Sequence, residues 1–372
     1  GGSQMFRVRM IQARFGDCLL LEYGSPATPR FLLVDGGPSD TFEDHLRAEL
    51  EVVAGDGHRL DLAMLSHVDK DHVVGLLDLL ARLRADDATD PSGASRLIGI
   101  DGLWHNSFAR SIDVDGALAP RLRAATTNAA SVLAMEAIQG VAEGHALRLA
   151  AQTLALPING GFPDDLICVD DAPGALVLDN LSLSVVGPTR ANLDKLHDEW
   201  ETWLDAHEEA VASGDPAVLA NSDQSIPNLS SIMVLAEADQ KKLLLTGDGR
   251  SDHLLKGLEQ AGLLDATGRF HVDALKVPHH GSDRNATRTF FRKVTADRYL
   301  ISANGRDDNP DFATLTWIVE EAAKVGRQIE ILVTNETPST QRLLDAFDPG
   351  ENGYTLTLLP PGESSLTVVL AA

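Results

Sequence analysis

Four side chains that can bind a metal ion lie within six positions of one another: His67, Asp69, Asp71 and His72. An apolar run, Leu60 to Leu65, precedes them, and a helical pattern, Val73 to Leu83, follows them. The sequence therefore predicts a buried strand, a tight turn that contains the ligands, and a helix that begins directly behind the turn. Loop side chains held between a strand and a helix are a common way for a rigid scaffold to present a metal site.

Three further polar motifs each follow an apolar, strand-like run. The motifs are Asp35-Gly36-Gly37, Thr246-Gly247-Asp248-Gly249 and Pro278-His279-His280-Gly281-Ser282. Glycines at these places let the backbone turn sharply. A Gly-Asp-Gly sequence is by itself a common turn, so its value here depends on its position after the central motif.

The segment from Ser66 to His72 resembles the signature of the metallo-β-lactamase superfamily, His-x-His-x-Asp-His, with Asp69 where the second histidine of that signature stands. The order of the motifs is most similar to the hydrolase domain of bacterial competence (DNA-uptake) proteins and their soluble relatives. The resemblance extends from about Phe6 to about Glu336, and Gly16-Asp17 matches a turn of that branch. Asp17 then either supports the site from outside the ligand set or is a plain turn residue. The resemblance implies a mixed α/β fold, the four-layer αβ/βα metallo-β-lactamase sandwich with helical insertions.

The resemblance also implies a site for two divalent metal ions with six ligands: His67, Asp69, Asp71, His72, Asp248 and one of His279 and His280. The first two residues would bind one ion, the next two would bind the other, and Asp248 would bind both. A carboxylate at position 69 is a harder ligand than histidine. Zinc is the first expectation, and the harder ligand makes manganese or iron more plausible beside it.

The motif residues have further roles in this resemblance. Asp35 is expected to orient the ligand loop by hydrogen bonding. His279 is the preferred ligand of the adjacent pair, so that His280 contacts the substrate or donates a proton. Ser282 and the backbone N–H groups near Gly281 could bind an anionic oxygen. The expected catalytic residues are Asp71, Asp248 and His280.

The chain departs from the family pattern at two positions. The further metal-binding histidine of the superfamily is missing from the segment Val185 to Thr189, as it is in the competence-type branch. His105, at the end of a predicted strand from Leu97 to Trp104, or His145 could replace it. Asn309 stands before a proline where competence-type proteins commonly have a histidine, so a catalytic role for this position is open.

Length and composition bound the class of protein. The 372 residues, 44% of them hydrophobic, suit one large domain with insertions or two modest ones, and they are enough for a full core. We expect one domain over residues 5–372, with helical insertions at about 110–160 and about 190–226, and residues 1–4 resemble an expression scar. No apolar run is long enough to span a membrane. Cys18 and Cys168 are expected to be reduced and buried, as in a cytoplasmic protein.

The formal net charge of −24 disfavours stable binding to long duplex nucleic acid. One modest basic cluster follows the last histidine motif and is interpreted as a solvated helix face: Arg284, Arg288, Arg292, Lys293 and Arg298. We therefore expect a small or short anionic substrate and no membrane partner. The sequence does not indicate an oligomeric state.

The reaction expected from the resemblance is hydrolysis by a hydroxide that bridges two metal ions. The leading substrate is a phosphodiester in a short nucleic acid or a nucleotide. One alternative is a lactone, amide or ester hydrolase with the same fold. The other is a catalytically silent binding module, which the missing family histidine keeps open.

Overall fold

The structure, a computed structural model, describes residues 4–128, 132–214 and 230–372, with side chains other than those of residues 126–134. Two β-sheets form the centre of these residues. In spatial order the first contains β14 (Ser365–Ala371), β1 (Met5–Ile11), β2 (Leu19–Ser25), β3 (Thr28–Val34), β4 (Leu60–Met64) and β5 (Leu103–Trp104). The second contains β13 (Tyr354–Leu358), β12 (Ile329–Val333), β11 (Val294–Ile301), β10 (Phe270–Lys276), β9 (Lys241–Leu245), β8 (Met233–Ala238), β7 (Leu181–Gly187) and β6 (Leu176–Leu178).

Both sheets change from antiparallel to parallel pairing along their width. In the first sheet β14, β1, β2 and β3 pair antiparallel, whereas β3, β4 and β5 pair parallel. In the second sheet β6 to β9 pair antiparallel, whereas β9 to β13 pair parallel. Parallel strands end at the same edge of a sheet, which is where loops build binding sites in α/β folds.

Helices flank the two sheets. They are α1 (Arg47–Gly55), α2 (Lys70–Thr89), α3 (Phe108–Ser111), α4 (Leu118–Asn128), α5 (Val132–Thr153), α6 (Arg190–Ser213), α7 (Ser251–Gln260), α8 (Arg288–Lys293), α9 (Phe312–Ala323), α10 (Pro338–Ala346) and α11 (Pro349–Asn352). A π-helical turn, Phe42–Leu46, runs into α1.

Alternate strand residues bury both faces of each sheet. Leu19 and Leu21 of β2 pack between the sheets, whereas Leu20 packs against the outer helices. Ala274 of β10 likewise lies between the sheets, and Leu275 lies against helices of the second sheet. Each fully buried leucine contributes about 1.5–3 kcal/mol of burial free energy. The layers are helix, sheet, sheet and helix, which confirms the predicted αβ/βα sandwich.

The segments predicted as insertions contain α3, α4, α5 and α6. Helix α5 can pack closely on the loop that follows β4, because two of its residues at the contact are glycines. A Cβ at Gly140 would lie 2.8 Å from the carbonyl oxygen of Val68, and one at Gly144 would lie 2.7 Å from its Cγ1. Residues 215–226 of the second insertion and residues 1–3 of the predicted scar lie outside the described residues. The division into one domain with two insertions stays a prediction.

The strand predicted from Leu97 is shorter in the structure. Only Leu103–Trp104 forms β5, and Ile100 makes a single isolated bridge to Leu60. Gly99 and Gly102 on either side of that bridge weaken the extended pairing.

Two smaller expectations concern membranes and cysteines. Among the helices of the described residues, none combines the length and apolar character needed to cross a bilayer. Cys18 and Cys168 are both buried, and both are free thiols.

Candidate metal centre

The candidate metal centre lies where loops from both sheets meet. Asp35, Asp248 and the adjacent His279 and His280 lie in the loops after β3, β9 and β10, and the loop after β4 together with the first turn of α2 contains His67 to His72. The turn after β4 leads directly into α2, and Asp69 is the N-cap residue of this helix. The strands thus deliver all the predicted motifs to one edge of the sandwich.

Four side-chain atoms from three of these loops converge: His72 Nε2, His280 Nε2, Asp71 Oδ2 and Asp248 Oδ1. His72 Nε2 lies 3.6 Å from the Asp71 oxygen and 3.2 Å from the Asp248 oxygen. His280 Nε2 lies 2.9 Å and 3.4 Å from the same two oxygens. Neighbouring ligands of an ion with bonds of about 2.0–2.2 Å lie about 3 to 3.5 Å apart. The four separations therefore match those of ligands around one divalent cation.

The chemistry of these atoms also fits a metal ion. His72 is fully buried and Asp248 is 5% exposed. Within the described residues, His72 Nε2 and Asp248 Oδ1 make no hydrogen bond, although they face each other. Each buried polar atom without a partner costs about 1–3 kcal/mol, and a divalent cation would satisfy both. Two imidazole nitrogens and two carboxylate oxygens are donors that zinc and manganese accept.

A further carboxylate, Asp17, lies behind the two histidines. The ligand atoms of four buried residues lie within 4.8 Å of one another and could themselves hold an ion: Asp17, His72, Asp248 and His280. The oxygens of Asp17, however, face Nδ1 of His280 at 3.5 Å and Nδ1 of His72 at 3.8 Å. Its carboxylate also forms an ion pair with the buried Lys276. We therefore place Asp17 outside the ligand set and Asp71 on the metal-facing side.

Nδ1 of each of the two imidazole rings faces an oxygen that can accept its hydrogen bond. Asp35 Oδ2 lies 2.9 Å from His72 Nδ1, and Asp35 also accepts from the backbone N–H and the hydroxyl of Ser66, at 2.7 and 2.6 Å. His280 Nδ1 donates to the carbonyl oxygen of Ser302 at 2.9 Å. Because Nδ1 is the donor in both rings, Nε2 is left to bind a cation. Asp35 thus contacts the ligand loop, and its orienting role stays a prediction.

The adjacent histidines point in different directions because the backbone bends sharply between them. His279, His280 and Gly281 have φ angles of 49°, 55° and 85°, a left-handed run that is uncommon for residues with side chains. His280 is 3% exposed within the ligand group, whereas the side chain of His279 is 28% exposed. His279 Nε2 lies 3.5 Å from Asp248 Oδ2, and its Nδ1 lies 2.6 Å from Asn285 Oδ1. The sequence favoured His279 as the ligand, but the structure places His280 in the buried group and His279 on the cleft wall.

His67 and Asp69 form a separate and more open part of the centre. His67 Nε2 lies 3.0 Å from Asp69 Oδ2, and the side chain of Asp69 is 48% exposed. The His67 ring meets the His72 ring edge-on, with centroids 4.5 Å apart. His67 Nδ1 is buried without a hydrogen-bond partner in the described chain. Among the described residues, no third ligand atom completes a compact group with this pair.

His105 joins neither of these groups within the described residues. It is fully buried under α5, with Nε2 3.3 Å from the place of a Cβ on Gly144. Neither ring nitrogen has a hydrogen-bond partner in the part of the chain that the structure describes. Burial, with a smaller effect of Arg148, lowers the pKa of His105 to about 3. The ring is therefore neutral at physiological pH.

The remaining predicted residues lie at the edges of the site. His145 is exposed on α5. Ser282 is 6% exposed, and its backbone N–H donates to the carbonyl of His279 at 2.9 Å. The N–H of His279 donates to the carbonyl of Gly247 at 3.1 Å. These two N–H groups are thus engaged within the protein.

Contacts inside the ligand group set its charge states. Burial opposes a charge on His280, but Asp248 and Asp17 outweigh it and raise the pKa of His280 well above its usual value. Asp248 likewise helps to raise the pKa of His72 against burial. Burial acts to raise the pKa of Asp248, but the two histidines lower it well below its usual value. A cation that binds here displaces these protons, so its affinity decreases as the pH falls.

The centre opens into a cleft of about 1680 Å³. This exceeds the roughly 300–1,000 Å³ of ordinary small-molecule sites. Helix α5 contributes Glu136 and Glu143 to its lining, and α6 contributes Lys195 and Glu199. The two helices therefore form part of the wall of the cleft.

Sequence reasoning undervalued Asp17 and missed Lys276 and Asn285. Lys276 had a signal, because it stands within the apolar strand directly before the histidine motif, where a buried lysine needs a partner. Asn285 had none. Its contact with His279 depends on how the loop after β10 folds.

The sequence matches no known family model and no curated protein. Two solved structures are similar over nearly the whole chain. One is zinc-bound PqqB from Methylobacterium extorquens, with a TM-score of 0.40 and 13% identity over 97% of this chain and 99% of that one. The other is a new diphosphatase from the PhnP family, with a TM-score of 0.37 and 9% identity over 97% of each chain. Both TM-scores lie below 0.5, so the site of this chain has to be interpreted from its own contacts.

Proposed function

We propose that this chain is a divalent-metal-dependent hydrolase of the metallo-β-lactamase superfamily and that it cleaves a phosphodiester bond. The main support is the convergence of two imidazole nitrogens and two carboxylate oxygens at separations of 2.9–3.6 Å. Such a group, buried at the end of a large cleft, is built to hold a cation where a substrate can reach it.

The residues divide between two ions in this proposal. One ion would be held by His72, His280, Asp71 and Asp248, and the other by His67 and Asp69 with Asp248 shared between them. Zinc is proposed first, with manganese or iron as alternatives. Bound ions of this kind lower the pKa of water and neutralise negative charge that develops on oxygen.

The protein side chains orient these groups and move protons. Asp35 and the Ser302 carbonyl hold His72 and His280 with Nε2 toward the cation. His279 is half-buried on the cleft wall, and its Nδ1 is engaged by Asn285. Its Nε2 is therefore the group placed to exchange a proton with the leaving oxygen.

A phosphodiester is supported by the carboxylate-rich ligand set and by the motif order of the competence-type branch. The net charge of −24 favours a short substrate over a long duplex, since a polyanion would approach against the field of the protein. A nucleotide or short single strand in the cytoplasm is the substrate class that we propose.

The test is hydrolysis of bis(p-nitrophenyl) phosphate after loading with zinc or manganese. Asp248→Asn should reduce turnover to background. Asp101→Asn is the matched control, because Asp101 is a half-exposed partner of Arg59 outside the ligand loops. Hydrolysis of lactones or amides, but not of the diester, by the metal-loaded protein would replace the proposed bond. No bound metal would overturn the proposal and favour a binding module.

A further inference from the structure

Two loops form the cleft wall beside the adjacent histidines, one after β10 and one after β11. The backbone N–H of Asp311 donates to the carbonyl of Gly281 at 3.0 Å. The backbone N–H of Asp283 donates to the carboxylate of Asp311 at 2.8 Å. These two bonds hold the loops side by side, so that residues from both line the same part of the cleft.

Asn309, in the second of these loops, is a buried polar residue on the cleft wall. It is 9% exposed, and its side-chain oxygen has no hydrogen-bond partner within the described residues. Its backbone is held on both sides, because its N–H donates to the Arg306 carbonyl and its own carbonyl accepts from Gly305. The same side chain carries an amide nitrogen, which is a hydrogen-bond donor of the kind that an anion accepts from.

Two arginines line the cleft on the same loops. The guanidinium of Arg306 lies 4.1 Å from the centre of the Phe15 ring, a contact that holds an otherwise mobile side chain. The guanidinium of Arg306 also lies 3.7 Å from the carboxylate of Asp307, and the side chains of both residues are more than half exposed. Arg284 is exposed, and no ion pair of its side chain is found among the described residues.

Two other arginines nearby pair with close carboxylates. Arg250 lines the same cleft but pairs with Asp252 at 2.9 Å and Glu199 at 3.4 Å. Arg292, from the same basic cluster as Arg284, pairs with Glu321 at 3.0 Å. Arg284 and Arg306 are therefore the better candidates to bind an anion in the cleft.

We infer that Arg284, Arg306 and Asn309 form an anion subsite that holds a second phosphate of the substrate, next to the scissile bond. The inference rests on the proposed phosphodiesterase function and narrows its substrate class. Two guanidinium groups and an amide provide the charged and directional donors that phosphate oxygens accept. Nucleotides that carry a phosphate beside the diester are then preferred to an isolated diester.

Binding of thymidine 3′,5′-bisphosphate tests the subsite without turnover. Isothermal titration would use the metal-loaded protein and, separately, the chelated protein. Arg284→Gln and Arg306→Gln should each weaken binding by about tenfold, the loss of one charge-assisted contact. Arg250→Gln is the matched control and should leave binding unchanged. Equal affinities of the two subsite variants and the Arg250→Gln control for the bisphosphate would overturn the subsite, and so would the absence of binding to the wild type.

Two variants of Asn309 distinguish a contact with the ligand from a purely structural role. Asn309→Asp keeps the size of the side chain but places a negative charge in the subsite, so it should weaken binding more than Asn309→Ala does. The reverse order of the two variants would contradict a role in anion binding.

Kinetics distinguish failure of the subsite from failure of the proposed function. The substrates are thymidine 5′-(p-nitrophenyl phosphate) with and without a 3′-phosphate. In the subsite variants, KM should increase for the 3′-phosphorylated substrate, with little change for the other. Absence of hydrolysis of both by the wild type would reject the phosphodiesterase, whereas equal KM changes for both would reject only the subsite.

Discussion

The two parts of the candidate metal centre differ in how completely the protein builds them. The inner half consists of His72, His280, Asp71 and Asp248, and its four close contacts span 2.9–3.6 Å. Nδ1 of each of its two imidazole rings lies 2.9 Å from an oxygen acceptor. The outer half consists of His67 and Asp69, whose side chains make one contact of 3.0 Å. The carboxylate of Asp69 is half exposed. His67 has no acceptor at Nδ1 among the described residues.

This difference predicts an order of metal affinity. A preorganised ligand group binds a cation without the cost of ordering its side chains. The outer half has to order Asp69 and recruit another ligand, since the histidine expected near residues 185–189 is missing. We therefore expect one ion that binds tightly to the inner half and one that binds more weakly to the outer half.

Removing one histidine from each half should have the largest effect. His280→Ala is expected to lose the tightly bound ion and to reduce hydrolysis to background, because it deletes an inner ligand. His67→Ala should retain one ion per chain. Metal analysis after dialysis, followed by titration against a chelator, measures both. Equal metal contents in the two variants would show that the halves do not differ.

The buried ion pair between Asp17 and Lys276 lies behind the inner half, and breaking it should strongly reduce the free energy of unfolding. Asp17→Asn leaves the ammonium group of Lys276, 2% exposed, beside the Gly247 carbonyl at 3.4 Å. Breaking a buried pair in this way costs about 3–5 kcal/mol of unfolding free energy. The double variant Asp17→Asn/Lys276→Met should cost clearly less than the sum of the two single variants. Urea denaturation measures all three, and strictly additive costs would mean that the residues do not act as a pair.

Removing the acceptor at Nδ1 of the His72 ring should reduce the metal affinity of the inner half, with a smaller effect than the changes above. Asp35→Asn removes the carboxylate that accepts from His72 Nδ1. The expected loss of metal affinity is about 10- to 100-fold, as for other residues that orient metal ligands. Asn285→Ala, which frees His279 instead, should leave the tightly bound ion unaffected. Competition with a fluorescent chelator compares the two variants, and equal losses would assign His279 to the inner half.

The smallest expected effect concerns His105, which packs beneath the loop of the outer half. Its pKa is about 3 in the folded protein and about 6.5 when unfolded. Below about pH 6 the unfolded chain therefore binds a proton that the folded chain does not, and stability decreases as the pH falls. The slope from this group approaches about 1.4 kcal/mol per pH unit. Urea denaturation at pH 7, 6 and 5 measures the free energy of unfolding of the wild type and of His105→Leu. As the pH falls, this free energy should decrease less for His105→Leu than for the wild type. The same dependence on pH in both proteins would contradict this.

Local pattern was enough to predict much of this protein. Apolar runs followed by polar turns locate the ends of β3, β4, β9 and β10, where the motifs lie. The two-residue period of strands and the helical spacing between them predict the individual elements, whereas the sandwich was expected from the resemblance to the metallo-β-lactamase superfamily. The predicted strand before His105 was too long, since glycines interrupt its pairing.

Contacts between distant segments could not be predicted in the same way. Asp17 and Lys276 are 259 positions apart and become an ion pair only when the two sheets pack together. The choice between His279 and His280 depends on a left-handed bend that the sequence motif does not reveal. Asn309 was recognised as a departure from the family pattern, but its buried position in the cleft became visible only in the fold.

The sequence by itself therefore determined which residue types could bind a metal and which strand ends present them. These depend on local hydrophobic periodicity and on turn chemistry, which act over a few residues, whereas the layered architecture was implied by the resemblance of the motifs. The tertiary structure decided which side chains converge, which half of the centre is complete and which arginines line the cleft. These depend on the distances between loops from different strands, and such distances are set by the packing of one sheet on the other.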